Sequence, residues 1–170
     1  MSAGLSGYDA ARLRELEDRA EINDIVNRYG NGVRVGDVEQ IVSCFADDAV
    51  VDHGHGETVE GRDALLAYFG NSTRSAAAQS VLTLDQKVAS TPVMSNVLID
   101  LNGDTAHCES MCLAIHAGYK HGEGKVIVRG TRNVDDLVRT ATGWRIRRRV
   151  HPAVWAFEVP SSMLADEGSS

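Results

Sequence analysis

The chain has 170 residues, of which 43% are hydrophobic and 24% are charged. This length suits one well-buried core, since single domains typically run from about 100 to about 200 residues. A formal net charge of −7 opposes binding to phosphate backbones and to anionic membrane surfaces. We therefore predict one domain over residues 1–160 and a flexible tail over residues 161–170, with neither nucleic acid nor a membrane as a partner.

The three cysteines, Cys44, Cys108 and Cys112, lack the paired spacings of zinc sites. Cys108 and Cys112 fall in a segment that is typical of a strand, where residues four apart point to the same face. We interpret all three as structural thiols in a reducing compartment. The N-terminus has no basic start followed by an apolar run, so we expect a cytoplasmic location.

Helical spacing dominates the first quarter of the chain. Apolar residues recur at three- and four-residue steps from Leu13 to Val33, which predicts a long amphipathic helix beginning at Asp9. Asp37 is a typical N-cap residue for a second helix over residues 38–45. The first third of the chain is therefore expected to contain a helical hairpin.

The remaining pattern predicts a short strand, a third helix and then a strand meander. Asp47-Asp48 is expected to separate the second helix from the strand, and residues 71–89 are expected to form a loop. Because helices come first and consecutive strands follow, the pattern indicates an α+β fold. The predicted elements are a strand over 49–53, a helix over 62–69, and strands over 93–101, 105–117, 125–139 and 144–157, the last kinked at Pro152.

Six short patterns resemble the SnoaL-like branch of the NTF2-like superfamily. They occur in the family's order and spacing and together cover roughly residues 15 to 150. The patterns are Arg19-Ala20-Glu21-Ile22 leading into Tyr29, Gly36-Asp37, Phe45-Ala46-Asp47-Asp48-Ala49, Gly61-Arg62-Asp63-Ala64, Asn96 to Leu101 followed by Gly103-Asp104-Thr105-Ala106, and Asp136-Leu137-Val138-Arg139 ahead of Gly143-Trp144-Arg145-Ile146.

The resemblance implies a cone in which a curved antiparallel sheet wraps around the N-terminal helices and encloses a mostly apolar cavity. Relatives with this fold include dehydratases, dehydrochlorinases, ketosteroid isomerases, epoxide hydrolases, polyketide cyclases and plain binding or transport proteins. One fold carries all of these activities, so the fold alone does not choose among them. Many relatives are homodimers packed through their sheets, and we expect a homodimer or a higher homo-oligomer here.

Comparison with scytalone dehydratase and lindane dehydrochlorinase concerns an Asp–His dyad that removes a proton from carbon. The resemblance places the Asp position on Arg34 and the His position on or beside Pro92, so both halves of the dyad are absent. Other positions of the dehydratase pattern are retained or nearly so. These are a second histidine at His116, an asparagine at Asn133, His53 at a family tyrosine and, from bile-acid dehydratases, Tyr29.

Each candidate has a structural alternative. His53 is either an acid–base or hydrogen-bonding group in the cavity or a solvent-facing histidine at a strand end. His116 shares strand parity with a run of small residues that includes Cys112, which leaves room for a ligand if that face is internal, but a lone histidine is equally satisfied at a sheet edge. Arg34 either binds an oxyanion in the pocket or is solvated at a frayed helix end. Tyr29 lies on the apolar stripe and is at least part of the core.

Further residues are expected to be structural. Asp135 is expected to pair with Arg148 or Arg149, and alternation along the strand divides the run from Arg145 to Arg149 between two faces. A metal site at Asp52, His53 and His55 is disfavoured, because strand geometry sends neighbours to opposite faces. The residues assigned to the surface or rim are His107, His121, His151 and Tyr119.

We predict an enzyme that acts without a cofactor or metal on a small, apolar, oxygenated ring compound, such as a polyketide, aromatic or steroid intermediate. The reaction is a proton transfer of the dehydratase, isomerase or cyclase type, which makes the enzyme a lyase or an isomerase. His116, His53 and Tyr29 are the catalytic candidates. Arg34, Asn133 and Cys112 are the substrate-binding candidates. The alternative is a ligand-binding or assembly protein that has kept the fold and lost the chemistry.

Overall fold

The computed structural model describes residues 7–54, 58–70 and 84–161. Within these residues the chain forms helices and then a strand meander, as predicted. The elements are α1 (Gly7–Val35), α2 (Val38–Val42), β1 (Phe45–Asp52), β2 (Thr58–Glu60), α3 (Arg62–Gly70), β3 (Gln86–Asn102), β4 (Thr105–Lys120), β5 (Glu123–Thr140), β6 (Gly143–Val150) and β7 (Ala153–Pro160).

The strands form one curved, mostly antiparallel sheet in the order β2-β1-β6-β5-β4-β3. One pair, β1 with β6, is parallel. The long β5 strand pairs with β6 through its second half and with β7 through its first half. Register shifts interrupt several of these ladders, and such bulges bend strands and increase their twist. The α+β class and the NTF2-like fold predicted from the sequence are confirmed.

Helix α1 buries its apolar stripe against the sheet, which is why the helix forms over this sequence. Ile22, Ile25 and Val26 are almost completely buried. A Cβ atom added to Gly30 would lie 2.8 Å from the Met94 side chain, so glycine permits the close approach of α1 to β3. The core lies between α1 and the sheet face that it covers, which we call the inner face.

The boundary between α2 and β1 differs from the prediction. Asp37 caps α2 as expected, by accepting a hydrogen bond from the Gln40 backbone N–H at 2.9 Å. The helix ends at Val42 rather than at Phe45, because Cys44 already accepts from the backbone N–H of Ile146 on β6. Pairing with β6 thus overrides the helical spacing, and Asp47-Asp48 lies within β1 instead of breaking a helix.

One loop prediction and one strand prediction also need correction. The loop expected over 71–89 falls in part outside the described residues, but residues 86–89 belong to β3, where the ladder with β4 compensates for weak strand propensity. The strand expected over 144–157 is two strands, β6 and β7, because the chain leaves the β6 ladder at His151 and Pro152 and pairs again with another part of β5. His55 and the tail over 162–170 lie outside the described residues.

Candidate functional site

Strand register decides which side chains of the sheet face the core. On β4, Ala106, Cys108, Ser110 and Cys112 are buried, and the residues that alternate with them are more exposed. On β5, Asn133 and Asp135 are on the buried face. The antiparallel register pairs these buried positions with one another across the sheet. Even-numbered residues of β4 and odd-numbered residues of β5 therefore form the inner face.

A hydrogen-bonded row of polar side chains crosses this inner face. Asn133 is fully buried, and its Nδ2 donates to Ser110 Oγ at 3.3 Å. Its Oδ1 faces His151, just beyond the end of β6, and accepts from Nδ1 of that ring. This arrangement sets the histidine tautomer, since an Nδ1–H donor leaves the lone pair of the neutral ring on Nε2. The row therefore presents an oriented imidazole, which is the geometry of a general base.

His53 extends the row beyond β6. It follows β1, and its ring centroid lies 6.1 Å from that of His151. The His53 ring also stacks on Tyr68 of α3, with centroids 4.4 Å apart and an angle of 17° between the planes. The fold therefore brings together two imidazoles that follow different strands, and one of them packs against α3.

A buried ion pair lies one row further into the core. Arg149 on β6 forms a bidentate pair with Asp135 on β5, with both N···O distances at 2.7 Å and both side chains 1% exposed. Burial acts to lower the pKa of Arg149, but the Asp135 carboxylate more than offsets this and raises the pKa. The guanidinium thus remains charged within the core.

Tyr29 covers the other side of this guanidinium. The Arg149 Cζ atom lies 4.1 Å from the centroid of the Tyr29 ring, in cation–π contact. Burial raises the pKa of Tyr29, and the nearby positive charge only partly opposes this increase. The phenol consequently stays protonated at neutral pH, so it is a hydrogen-bond donor rather than a base.

His116 occupies the same face, in a different region. It lies on the inner side of β4, and its Nδ1 is 3.1 Å from Ser90 Oγ on β3. Six residues of strand, about 20 Å of extended chain, separate it from Ser110. The structure therefore brings His53, Asn133 and Tyr29 toward one region and places His116 toward the other end of the sheet.

The remaining substrate-binding candidates, Cys112 and Arg34, also lie in different regions of the molecule. Cys112 is buried on the inner face, directly opposite Thr131 on β5. Arg34 is exposed in the last turn of α1, and its Nη2 donates to Asn31 Oδ1 at 2.9 Å. Arg34 is thus no part of the buried polar cluster, and a role for it is possible only at the rim.

Sequence reasoning missed the central position of His151. The sequence predicts it at the surface or rim, together with His107 and His121. His107 and His121 are indeed exposed, at 43% and 83% of the side chain. The placement of His151 beside Asn133 follows from the register of β5 with β6, which alternation within either strand does not reveal. The predicted pairing of Asp135 is confirmed with Arg149.

The opposite, outer face carries charges that are paired with one another. A cross-strand row joins Arg148, Asp136 and His107 at the bottom of an open groove of about 850 Å³. His107 Nδ1 lies 2.9 Å from Asp136 Oδ1, and Arg148 Nη1 lies 3.8 Å from the other oxygen of that carboxylate. Since these groups satisfy one another in solvent, we place the candidate site on the inner face.

No metal centre is evident in the part of the chain that the structure describes, where no three side chains among His, Cys, Asp and Glu are grouped to bind an ion. The three cysteines are free and buried. Burial raises the pKa of Cys108 to about 12, so this thiol is no nucleophile at neutral pH. Over the same described residues, no helix is long and apolar enough to cross a membrane.

The model of the SnoaL-like domain family matches residues 14–150 of the chain. The chain belongs to the SnoaL-like family. An uncharacterized protein of Mycobacterium tuberculosis is 27% identical over 144 residues, which cover 81% of this chain and 86% of that protein.

Solved structures resemble this SnoaL-like domain over most of its length. An NTF2-like protein with a cystatin-like fold from Novosphingobium aromaticivorans is 27% identical, covers 85% of this chain and 87% of its own, and superposes with a TM-score of 0.65. A hexachlorocyclohexane dehydrochlorinase is 15% identical, covers 93% of this chain and 99% of its own, and superposes with a TM-score of 0.73. At 15% identity, the second likeness concerns the fold alone.

Proposed function

We propose that this SnoaL-like domain is a cofactor-free enzyme that transfers a proton on a small, apolar, oxygenated ring compound. The observation that carries the proposal is the row from Ser110 through Asn133 to His151, which orients an imidazole inside a family fold that binds small organic molecules. Dehydration, isomerisation and cyclisation each require such a base near a polarised oxygen. Polyketide, aromatic and steroid intermediates fit this description.

In the proposed mechanism, His151 is the general base. With Nδ1–H bonded to Asn133, Nε2 accepts a proton from a carbon next to a carbonyl group of the substrate. The hydrogen bond to Asn133 Oδ1 keeps Nδ1 protonated throughout, so the ring becomes an imidazolium and can return the proton from Nε2. We assign to His53, 6.1 Å away between ring centroids, the exchange of that proton with a second position on the substrate.

Negative charge that develops on the substrate oxygen requires a donor. Tyr29 is a protonated phenol in this interior, so its O–H is the proposed donor to that oxygen. The positive charge of Arg149, next to the Tyr29 ring, adds electrostatic stabilisation of the oxyanion. Asp135 holds the guanidinium in place and does not take part in proton transfer. We retain His116 as a second candidate for acid–base chemistry at the other end of the inner face.

A ligand-binding protein without catalytic activity is the second candidate. The departure from the dehydratase pattern at Arg34 and Pro92 favours it, because neither residue can replace an Asp–His base. In this case the same inner face would bind the ring compound, and His151 would serve only as a hydrogen-bonding group. The two candidates differ in turnover and not in binding.

Exchange of carbon-bound hydrogen for deuterium distinguishes them. The purified protein would be incubated in D₂O with 1-tetralone, 2-tetralone and androst-5-ene-3,17-dione, and deuterium incorporation would be followed by mass spectrometry. We expect catalysed exchange on at least one ketone, a loss of at least about 100-fold in His151→Ala, and no change in the exposed control His107→Ala. Exchange that depends on His116 and not on His151 would move the base to the other end of the face. Binding of the ketones without any exchange would favour the ligand-binding protein.

We further propose a homodimer formed through the apolar half of the outer face. Trp155, Phe157 and Val159 of β7 are between 41% and 48% exposed, on the side of the sheet away from the core. The register continues this apolar surface onto Leu113 and Ile115 of β4. A contiguous exposed apolar face of this kind is typical of a protein interface.

The oligomeric state tests this surface. Light scattering after size exclusion is expected to give twice the 18.3 kDa chain mass, and Trp155→Ser combined with Phe157→Ser is expected to give the monomer. Arg148→Ser, on the charged half of the same outer face, is the control and should leave the dimer intact. A monomeric wild-type protein at high concentration would contradict the proposal. The free thiols fit the reducing cytoplasm that we expect for the protein.

A further inference from the structure

The inner face does not end at the polar row but continues along β4, β5 and β7 beyond the part that α1 covers. Between Asn133 and the far end of β5, the register places small side chains on the inner face, including Ala114 and Ala156 on either side of Arg129. Arg129 is partly buried between these two alanines. The small side chains on either side of Arg129 therefore add little bulk beside its guanidinium, on the same face as the proposed reaction site.

Positive charge accumulates on this part of the inner face. Register places Lys125 beside Gly118, Lys87 on the other side of the same glycine, and Lys120 in the next inner position of β4. The carboxylates that the same register brings to this face are Glu123 and Glu158. With Arg129, four basic side chains thus face two acidic ones. This balance is the reverse of that of the whole chain, whose net charge is −7.

Lys87 is exposed, but the other two lysines of this region are largely shielded from water. The side chain of Lys120 is 16% exposed, with Nζ 2.7 Å from Glu158. The side chain of Lys125 is 18% exposed, although its partner Glu123, at 2.8 Å, is 72% exposed. The ion pair with a glutamate offsets the cost of shielding each ammonium group from water. Asp85, just before β3, is already bonded to the backbone N–H of His121 at 2.6 Å.

The end of α1 brings a further cation near this region. Gly30 packs against Met94 on the inner face of β3, and Arg34 lies one turn later on the same side of the helix. One turn advances about 6 Å along the helix, which corresponds to about two residues of strand. Arg34 is therefore expected at the level of Pro92, which stands in the same cross-strand row as Ala114 and Arg129.

We propose that this basic end of the inner face, formed by Arg129, Lys125 and Lys120 with Arg34 at its rim, binds an anionic group on the ligand. The ligand class is an apolar ring system that carries a carboxylate, sulfonate or phosphate at one end. The ring lies over the small residues toward Asn133, and the anion lies between the guanidinium and ammonium groups. The inference rests on the proposed function, since it assigns the substrate class of that same interior.

Two fluorescent probes that differ in one group test the inference. 8-Anilinonaphthalene-1-sulfonate carries the anion, and N-phenyl-1-naphthylamine has the same rings without it. Fluorescence titration of the full chain is expected to give a lower Kd for the sulfonate, and 200 mM NaCl should weaken only the sulfonate. Arg129→Gln and Lys125→Gln should each raise the Kd of the sulfonate about fivefold and leave that of the neutral probe within about twofold.

Arg132→Gln is the matched control, because Arg132 lies on the same strand but on the outer face, paired with Glu109. It should change neither Kd, and Arg129→Lys should restore part of the sulfonate affinity. Unfolding followed by circular dichroism establishes that each variant is folded. Equal affinity of the wild-type protein for the two probes would overturn the inference and leave the proposed function standing. Sulfonate binding that responds to Trp155→Ser rather than to Arg129→Gln would overturn it as well. If neither probe binds, the proposed interior site fails too.

Discussion

Adjacent residues of the same two strands form two Asp–Arg pairs with very different surroundings. Asp135 and Arg149 meet on the inner face, both 1% exposed, in a bidentate pair. Asp136 and Arg148 meet on the outer face, more than half exposed, at 3.8 Å. Strand alternation alone separates a cation buried beneath Tyr29 from one in solvent. The inner Asp–Arg pair is therefore expected to affect the stability of the fold strongly, and the outer pair only slightly.

Removal of one partner from each pair gives the largest expected contrast. Asp135→Asn leaves the Arg149 guanidinium buried without a counter-charge, so we expect the free energy of unfolding to fall by about 3–5 kcal/mol. Asp136→Asn, on the outer face, should lower it by less than about 1 kcal/mol. Urea unfolding at pH 7 measures both. Similar losses in the two variants would mean that the inner pair is hydrated in solution.

The next largest loss of stability is expected from a substitution in the apolar half of the outer face. A Cβ atom on Gly130 would lie 2.4 Å from the Trp155 ring, so Gly130→Ala must displace that ring and should cost about 1–3 kcal/mol. In a Trp155→Ala background the same substitution should be nearly neutral. Thermal unfolding of the four proteins measures the coupling. A full cost in both backgrounds would contradict the packing of Trp155 on this glycine.

A half-buried ion pair joins α1 to the sheet. Its exposure is intermediate between those of the inner and the outer Asp–Arg pairs. Asp18 Oδ2 accepts from Arg139 Nη2 at 2.6 Å, and Oδ1 accepts from Trp144 Nε1 at 3.1 Å. The hydrogen bond from Arg139 is the main cause that lowers the pKa of Asp18 below its usual value of 3.8. A carboxylate with a depressed pKa stabilises the fold above its unfolded pKa and loses that contribution as the pH falls through the folded value.

Asp18→Asn should therefore be less stable than the wild-type protein by about 1–2 kcal/mol at pH 7, and the difference should shrink only below about pH 4. Urea unfolding between pH 3 and pH 7 gives the profile. Glu17→Gln is the control, since Glu17 is exposed on the same helix. A difference that vanishes between pH 5 and pH 7 would exclude this carboxylate as its source.

His107 gives the smallest effect. Its hydrogen bond with Asp136 is the largest of the causes that raise the pKa of the ring above the usual value of 6.5. A raised pKa stabilises the fold fully below the unfolded value, and this contribution disappears as the pH rises through the folded value. We expect a gain of less than about 1 kcal/mol below pH 6.5, lost at higher pH and absent in Asp136→Asn. An NMR titration of the ring that shows no change of pKa in that variant would contradict the pairing.

Alternation in the sequence predicts which side chains share a face of the sheet. It does not predict the polar cluster that side chains of different strands form. Parity on one strand predicts that Cys108 and Cys112 share a face and that the arginine run divides. It cannot predict that Asn133 meets His151, because that contact depends on which residues of β5 and β6 are opposite each other. A register shift beside Asp136 changes this pairing, and no local pattern in the sequence marks it.

Strand ends are the other region where local patterns fail. Ser and Ala residues before Pro92 have little strand propensity alone, yet the ladder with β4 extends β3 back to Gln86. Lys125, Lys120 and the other residues of the basic end of the inner face form one basic surface only because the ladders bring three strands together. Charge along the chain therefore does not predict the basic surface, although net charge is read directly from the sequence.

Ring signals of the histidines measure most directly whether the inner face is the binding site. In a titration with N-phenyl-1-naphthylamine followed by NMR, we expect the signals of His151 and His53 to shift together with one Kd. The signals of His107 and His121, outside this face, should stay in place. Shifts confined to His107 and His121, with His151 unchanged at saturation, would contradict the account.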